Sequence, residues 1–288
     1  MSAFLTARQT VTDAAHLVLP VACAGCGRWD TALCPECASL LVTDLQAVDD
    51  ASAAGDLDVW ALGTYAGPVR EMVVAWKRGR REDLGPVLTG AMGRAAARWT
   101  TSQADLLQPD VHLLQPSAQP PGPSHAPSRI PDTGPGGHGG TVAPSQSPVL
   151  VVPAPSGPGR RLRGLLVAAD LADAVALGLA RGLTGAVGVA SVDLLRRRRG
   201  TGAAHQSGRS SRQRRSNRAV PPRVLADVAG CAVVLVDDVV TTGATLAACS
   251  RAVEEAGARV LAALVLAATP APGARRRVAL SPPGPGGS

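Results

Sequence analysis

Two adjacent carboxylates stand shortly before a turn that is rich in hydroxyl groups. Asp237 and Asp238 follow an apolar run at 232–236, and after them come Thr241, Thr242, Gly243, Ala244 and Thr245. Carboxylates are costly to bury without hydrogen-bond donors, and the hydroxyls of a sugar are such donors. Threonine hydroxyls and the free N–H groups at the start of a helix favour an anion such as phosphate. The pattern predicts a site for a ribose phosphate; the alternative is a strand, turn and helix whose acids only act as caps.

The segments around this motif predict the fold that would position it. Apolar runs and helical patterns alternate, with strands at 149–152, 186–194, 232–236 and 260–267 and helices at about 165–179 and 246–256. This order predicts a parallel α/β sheet with helices on both faces, and such sheets bind ligands at the carboxyl ends of their strands. The loop at 153–164 follows one of these ends. Its pyrophosphate-binding candidates are Ser156, Arg160 and Arg163.

A further strand and helix are expected upstream. Residues 60–65 have the pattern of a strand, and Val69, Met72, Val73 and Trp76 recur on one face of a helix that ends near Lys77. The stripe is interpreted as core packing. The basic residues at the end of this helix either form a solvated face, which is the preferred interpretation, or approach a diphosphate; they are Lys77, Arg78, Arg80 and Arg81.

Four cysteines form two CxxC pairs near the start of the chain: Cys23, Cys26, Cys34 and Cys37. Four thiolates close a tetrahedral Zn²⁺ site, and a segment with so few core residues needs such a staple. Gly25 and Gly27 would ease the turn. The alternatives are a redox CxxC or two disulfides, which suit a cytoplasmic chain poorly. The pattern predicts a structural zinc knuckle, whereas Cys231 and Cys249 are expected to be core residues.

Charge and hydropathy limit the class of protein. The 288 residues carry a net charge of +7, which suits a polyanionic partner or a phosphate-rich substrate. No apolar run reaches the roughly 18 residues that span a bilayer. Asp13 and His16 interrupt the apolar core that a signal peptide needs. We therefore expect a cytoplasmic protein without membrane insertion.

Composition divides the chain into segments. The expected order is an N-terminal helix and zinc knuckle, the first part of the α/β domain, a disordered insertion rich in Pro, Ser and Gly, the α/β core and a disordered tail, at 1–50, 51–99, 100–148, 149–280 and 281–288. Within the core, residues 195–224 contain many arginines and no acid. This stretch is either a flexible loop that closes over the ligand or an electrostatic contact for nucleic-acid phosphates, and the two are compatible.

The order of apolar strand, acid pair, threonines and glycine resembles the phosphoribosyl pyrophosphate (PRPP) motif of type I phosphoribosyltransferases. The resemblance implies a type I phosphoribosyltransferase-like sheet that binds PRPP with Mg²⁺. It carries the ligand contacts onto Asp237, Asp238 and the turn at 241–245. The two acids are also the best candidates for a catalytic role, although no residue stands out as a general base.

The chain as a whole resembles the ComF family of competence proteins. The match includes the four cysteines, Tyr65-Ala-Gly67 with the helix ending at Lys77 and Gly79, Arg163-Gly164, Gln206, Arg214 and Asn217, and the motif at 232–245. It implies a four-cysteine zinc site and a role in bringing single-stranded DNA into the cytoplasm during natural transformation. One departure is the sequence at 165–168, Leu-Leu-Val-Ala, where the family usually has Phe-Asn-Gln-Ala.

Three functional hypotheses follow. The first is a ComF-type phosphoribosyltransferase-like protein that binds PRPP and supports DNA uptake. The second is a non-catalytic PRPP-binding or scaffold protein that contacts single-stranded DNA or a DNA-processing partner such as a helicase. The third is a salvage phosphoribosyltransferase. The basic segment has no aromatic residue on which bases would stack, which weakens direct single-strand binding. The sequence leaves open the acceptor, turnover itself and the oligomeric state.

Overall fold

A mixed sheet forms the centre of the fold. The computed structural model describes residues 21–49, 51–103, 148–156, 164, 166–183, 187–198 and 221–270. Within these ranges the strands are β1 (Gln46–Ala47), β2 (Val59–Thr64), β3 (Val149–Pro153), β4 (Val189–Ser191), β5 (Leu195–Arg196), β6 (Arg223–Val224), β7 (Ala232–Val240) and β8 (Arg259–Ala268). Six of them form one sheet in the order β1-β2-β8-β7-β3-β4, while β5 pairs with β6. Only β1 is antiparallel to its neighbour in the large sheet.

Helices cover both faces of this sheet, as the sequence predicts. They are α1 (Pro35–Ser39), α2 (Gly67–Lys77), α3 (Leu84–Ser102), α4 (Val167–Gly182) and α5 (Ala244–Glu255). Val234 and Val236 of β7 pack into the core with α2, α3 and α4, whereas Val233 and Leu235 pack into the core with α5. Burial on both faces explains why β7 is continuously apolar from Ala232 to Val236 and does not alternate there.

Several predicted elements have different bounds in the structure. The strand predicted at 186–194 is shorter, because β4 covers Val189–Ser191 and the chain then turns into the separate β5. Helix α3 was not predicted, since Gly85, Gly90 and Gly93 obscure its apolar stripe. This helix also continues past residue 100, where the insertion was expected to begin. Thr100 is buried, and its hydroxyl donates to the Ala96 carbonyl at 2.8 Å.

Helices α3 and α4 approach each other through glycines. A Cβ on Gly93 would lie 2.8 Å from the carbonyl oxygen of Ala174, and one on Gly182 would lie 2.6 Å from that of Ala97. A Cβ on Gly178 would overlap the Gly93 carbonyl oxygen. The two backbones are therefore in direct contact, which only glycine at these positions permits. This contact fixes α4 on the sheet and with it the segment that begins at Val167.

Some predicted segments lie outside the described residues. They are the N-terminal helix, which the sequence predicts at 5–19, the body of the insertion at 104–147, the loop residues Arg160 and Arg163, most of the basic segment at 199–220 and the tail at 281–288. None of the helices in the described part of the chain combines the length and the apolar character that crossing a membrane requires.

Candidate functional site

The acid pair lies near the carboxyl end of β7, inside the strand. The sequence placed the end of the strand at Val236, but β7 continues to Val240 because it stays paired with β8, where Asp237 faces Val265 and Val240 faces Ala268. Its pairing with β3 ends earlier, at Pro153 and Val236. On the β3 side the strand edge beyond Val236 is therefore open. Such an opening at the carboxyl edge of a parallel sheet is where α/β folds bind ligands.

The two acids make contacts on opposite sides of β7. Asp238 is buried, and its carboxylate oxygen lies 2.8 Å from the ammonium of Lys77 at the end of α2. The Asp237 carboxylate accepts the Asp238 backbone N–H at 2.8 Å. On the α5 side, burial and then the negative charge of Asp237 raise the pKa of the Cys249 thiol to about 12. Cys249 is thus a neutral core residue beside the site, in agreement with the sequence prediction.

A glycine in the left-handed region allows the turn after β7. Gly243 has φ of +81°, and a Cβ there would lie 2.8 Å from the Ala54 Cβ and 3.0 Å from the Ala54 nitrogen. Next to this contact, the Ala53 N–H donates to the Thr242 carbonyl at 2.8 Å. Glycine is therefore required at position 243 by the left-handed backbone conformation and by the close approach of Ala54.

Helix α5 starts directly after this glycine. Its first turn presents N–H groups that have no partner within the helix, and its dipole favours an anion at this end. Thr241 and Thr242 are exposed beside it, and the Thr242 hydroxyl accepts the Ala244 N–H at 3.5 Å. The turn at 241–245 thus has the donors and the exposure that a phosphate group requires.

One cleft of about 240 Å³ unites the acids and the turn with residues from distant parts of the chain. The predicted residues that line it are Ser156 and all seven of the motif, Asp237, Asp238, Thr241, Thr242, Gly243, Ala244 and Thr245. Ser156 enters because the Ala154 N–H donates to the Val236 carbonyl and carries the loop after β3 along this edge. Arg160 and Arg163 lie outside the described residues.

Three further residues that line the cleft were missed as site residues. Lys77, for which the solvated interpretation was preferred, lies in the cleft and is about three-quarters buried. Tyr65 is held there because its N–H donates to Ala268 at the end of β8. Arg197, whose guanidinium donates to the Pro155 carbonyl at 3.2 Å, links the start of the basic segment to the same cleft. A signal existed for Tyr65, because it directly follows β2, which ends at the carboxyl edge of the sheet.

The four cysteines of the two CxxC pairs form one cluster. Their sulfur atoms all lie within 4.8 Å of one another, and the Cys26 and Cys34 sulfurs are 3.6 Å apart. Zn–S bonds of about 2.3 Å would place tetrahedral sulfurs about 3.8 Å apart, so these residues can hold a metal ion such as zinc. The cluster is a separate site from the cleft.

Backbone N–H groups in the cysteine cluster favour the thiolate form of Cys23. Burial raises the pKa of the Cys23 thiol, but the N–H groups of Cys26, Cys34 and Gly25 oppose burial and bring it down to about 6. Burial and the neighbouring sulfurs raise the pKa of Cys37. Four sulfurs this close cannot all ionise without a compensating cation. The donor set therefore fits a divalent metal with an affinity for thiolate.

The cluster is packed directly against the α/β domain. A Cβ on Gly25 would lie 2.7 Å from the Cys37 sulfur and 3.0 Å from Pro68 in the first turn of α2. Beyond the other end of α2, the Arg81 guanidinium donates to the carbonyls of Ala22 at 3.1 Å and Ala32 at 2.8 Å. Gly25 is thus required by space, whereas Gly27, with φ of +78°, is required by conformation.

Comparison with known families agrees with this geometry. Residues 160–278 match the model of the phosphoribosyl transferase domain, and the matched segment includes the acid pair, the turn and α5. A comparison with curated proteins finds no match to this chain. Residues 160–278 of the α/β domain are therefore of phosphoribosyltransferase type, and a four-cysteine cluster lies upstream of them. The family match does not extend to the cluster, to α2 or to Lys77.

Proposed function

We propose that this protein binds PRPP in the cleft at the carboxyl end of β7. The observation that carries the proposal is the arrangement of an acid pair directly before a left-handed glycine and a helix N-terminus, all lining one cleft. Within a phosphoribosyltransferase-type domain this arrangement offers acceptors for sugar hydroxyls and donors for a phosphate at neighbouring positions.

Each part of the ligand has a proposed partner. The 5-phosphate binds the N–H groups and hydroxyls of residues 241–245, and the ribose hydroxyls donate to Asp237 and Asp238. The diphosphate binds near Ser156 and the arginines of the following loop, Arg160 and Arg163. Arg197 lines the same cleft and adds positive charge at this end. Guanidinium groups suit this role because they bind phosphate oxygens in pairs.

The proposed reaction is transfer of the phosphoribosyl group to a nucleophile. The bond between C1 of the ribose and the diphosphate oxygen breaks, the diphosphate leaves with the electron pair, and the acceptor forms a new bond to C1 and loses a proton. Positive charge that develops on the sugar is stabilised by the nearby carboxylates. Bound Mg²⁺ would neutralise part of the negative charge of the leaving diphosphate. Hard oxygen donors such as Asp237 and the ligand's own phosphates fit this ion.

We further propose that the cysteine cluster is a structural zinc site. Four sulfurs fill all the positions of a tetrahedral ion and leave none for a substrate, so a catalytic role is disfavoured. Three of the four sulfurs belong to buried residues, which supports a closed site. Metal analysis of the purified protein should give about one Zn²⁺ per chain. A folded cluster without metal would contradict the assignment.

A second candidate function concerns DNA. The combination of a four-cysteine cluster with a phosphoribosyltransferase-type domain supports a role like that of the ComF family in DNA uptake. In this version PRPP is sensed or retained, and single-stranded DNA or a DNA-processing partner such as a helicase is contacted. Arg197 and Arg198 are exposed at the start of the basic segment, which favours an electrostatic contact. Direct DNA binding would weaken steeply as salt increases, whereas affinity that is independent of salt would contradict it.

Calorimetric titration with PRPP and Mg²⁺ tests the main proposal. Asp237→Asn should abolish most of the binding, because it removes the negative charge that accepts from the sugar. The matched control is Asp173→Asn, which makes the same change on the exposed face of α4 and should bind as the wild type does. If the wild type does not bind PRPP, the proposal is wrong.

Turnover distinguishes the two versions of the function. Pyrophosphate release would be measured with PRPP and a panel of nucleobases and other nucleophiles. Release with one acceptor, lost in Asp237→Asn, supports a transferase. Binding without release on any acceptor favours the binding protein, for which the cleft holds PRPP as an effector.

A further inference from the structure

Lys77 is the only lysine in the sequence. The other 28 of its 29 basic residues are arginine, so the composition strongly favours arginine wherever a positive charge is sufficient. The single exception lies in the cleft, where its ammonium is 2.8 Å from the buried Asp238 carboxylate. An ammonium is a compact point charge, whereas a guanidinium is a wide planar fork. A compact cation therefore suits the contact with the buried carboxylate at this position.

The helix that carries Lys77 is held by the cysteine cluster at both ends. Pro68 in its first turn lies against Gly25, and Arg81 beyond its last turn donates to two carbonyls of the cluster segment. Val69, Met72, Val73 and Trp76 bury its inner face in the core. Packing thus fixes the backbone from which the Lys77 side chain reaches Asp238, as precise placement of a charge requires.

We propose that Lys77 is a positioning residue for the acid pair, acting through Asp238. The proposal rests on the proposed function, because the acids are the groups that accept from the ribose. Its ammonium holds one carboxylate oxygen of Asp238 and offsets one of two adjacent negative charges, in a site that must also admit an anionic ligand. The segment that supplies it precedes the part that matches the transferase domain.

Replacement of Lys77 should weaken PRPP binding without affecting the metal. Lys77→Met keeps an unbranched side chain that is one atom shorter and removes the charge. We expect the affinity for PRPP to fall about tenfold or more, since one partner of a buried charge pair is lost. Lys77→Arg restores the charge with the wrong shape and should recover part of this loss. Zinc content and the thermal midpoint should show that the variants are folded. An affinity of Lys77→Met within about twofold of wild type would overturn the proposal.

A double-mutant cycle separates action through Asp238 from direct contact with the ligand. If Lys77 acts through Asp238, Lys77→Met in an Asp238→Asn background should change the affinity less than about threefold, because the interaction is already lost. Fully additive effects would mean that Lys77 contacts the phosphates itself and would overturn the proposal. Ribose 5-phosphate, which has no diphosphate, should lose affinity in Lys77→Met as PRPP does.

A measurement on the wild-type side chain does not depend on a variant that folds. Reductive methylation with ¹³C-formaldehyde labels Lys77 and the N-terminal amine and keeps the charge of both. The Lys77 methyl resonance should shift when ribose 5-phosphate saturates the protein, and an unchanged resonance would overturn the proposal. If the wild type binds no PRPP, the proposed function fails. If it binds PRPP and Lys77→Met binds equally well, only the positioning role fails.

Discussion

The cysteine cluster and the cleft are assembled in opposite ways. All four sulfurs of the cluster come from one short segment, residues 23–37, and two CxxC turns bring them within 4.8 Å of one another. The cleft combines residues from six places in the chain, represented by Tyr65, Lys77, Ser156, Val167, Arg197 and the motif at 237–245. One site is therefore local in sequence, and the other exists only because the sheet is formed.

This difference determines what each site depends on. The cluster requires the spacing of its ligands and two glycines, and a bound metal would supply much of the free energy that orders it. The cleft requires that the pairing of β3 with β7 ends at Val236, which leaves the edge of β7 open. It also requires the packing of helices whose residues do not line the cleft. Changes in the cluster should act through the metal, whereas changes in the cleft should act through distant packing as well as through the ligands.

The largest effect is expected from loss of a cluster cysteine. Cys34 is buried, and Cys34→Ser leaves three sulfurs and a poor fourth ligand, so zinc should fall from about one ion per chain to nearly none. PRPP affinity should also fall, because α2 loses its support. The control is Cys231→Ser, which changes a cysteine outside the cluster. Retention of a full zinc ion by Cys34→Ser would contradict the assignment.

The next largest effect concerns the scaffold of the cleft. Gly178→Ala would force a Cβ onto the Gly93 carbonyl, and separating α3 from α4 should lower the free energy of unfolding by about 3 kcal/mol. Zinc content should stay unchanged, which contrasts the assembled site with the local one. Urea denaturation measures the change.

The matched control for this change is Gly188→Ala, where the new Cβ would meet Pro148 at an ordinary 3.8 Å. Its cost should be below about 1 kcal/mol. Equal stability of the Gly178 and Gly188 variants would show that the close contact between α3 and α4 does not exist in solution.

A smaller and more local effect is expected at the turn. Gly243→Ala combines a left-handed backbone with a collision against Ala54, so it should cost about 2 kcal/mol of stability and reduce PRPP affinity at least about tenfold. Gly55→Ala has a similar positive φ but open space around the new Cβ, and should cost only about 1 kcal/mol. The difference between the two variants, measured by denaturation and calorimetry, isolates the close approach of the Ala54 segment.

The smallest effect is expected for alkylation of Cys249, which should not react in the folded protein. Its pKa is raised to about 12, so at pH 8 only about one thiol in ten thousand is ionised, and the side chain is also buried. Iodoacetamide should leave it unmodified in the folded protein, as mass spectrometry of the peptides would show. Urea should expose it and allow labelling. Fast labelling in the native protein would mean that α5 does not bury this thiol in solution.

Sequence patterns predicted most of the regular strands and helices well. Strands β3, β7 and β8 and helices α2, α4 and α5 were found close to the predicted positions, because apolar periodicity reports directly on burial. Helix α3 was missed because glycines and alanines separate its large buried residues, Leu84, Leu88, Met92 and Trp99, and leave a weak apolar stripe. The end of β7 was placed too early because acids interrupt apolar runs, although pairing with β8 extends the strand through them.

By itself the sequence determined the chemistry that is local along the chain. The two CxxC pairs and the order of acids, threonines and glycine predict their sites because neighbouring residues are close in space in any fold. Only the tertiary structure decided that Lys77 reaches Asp238 and that Arg81 ties α2 to the cysteine segment. These contacts join residues far apart in sequence, and the sequence pattern of a helix end is the same for a solvated cation as for one that enters a cleft. The packing of α2 on the sheet determines that Lys77 enters the cleft.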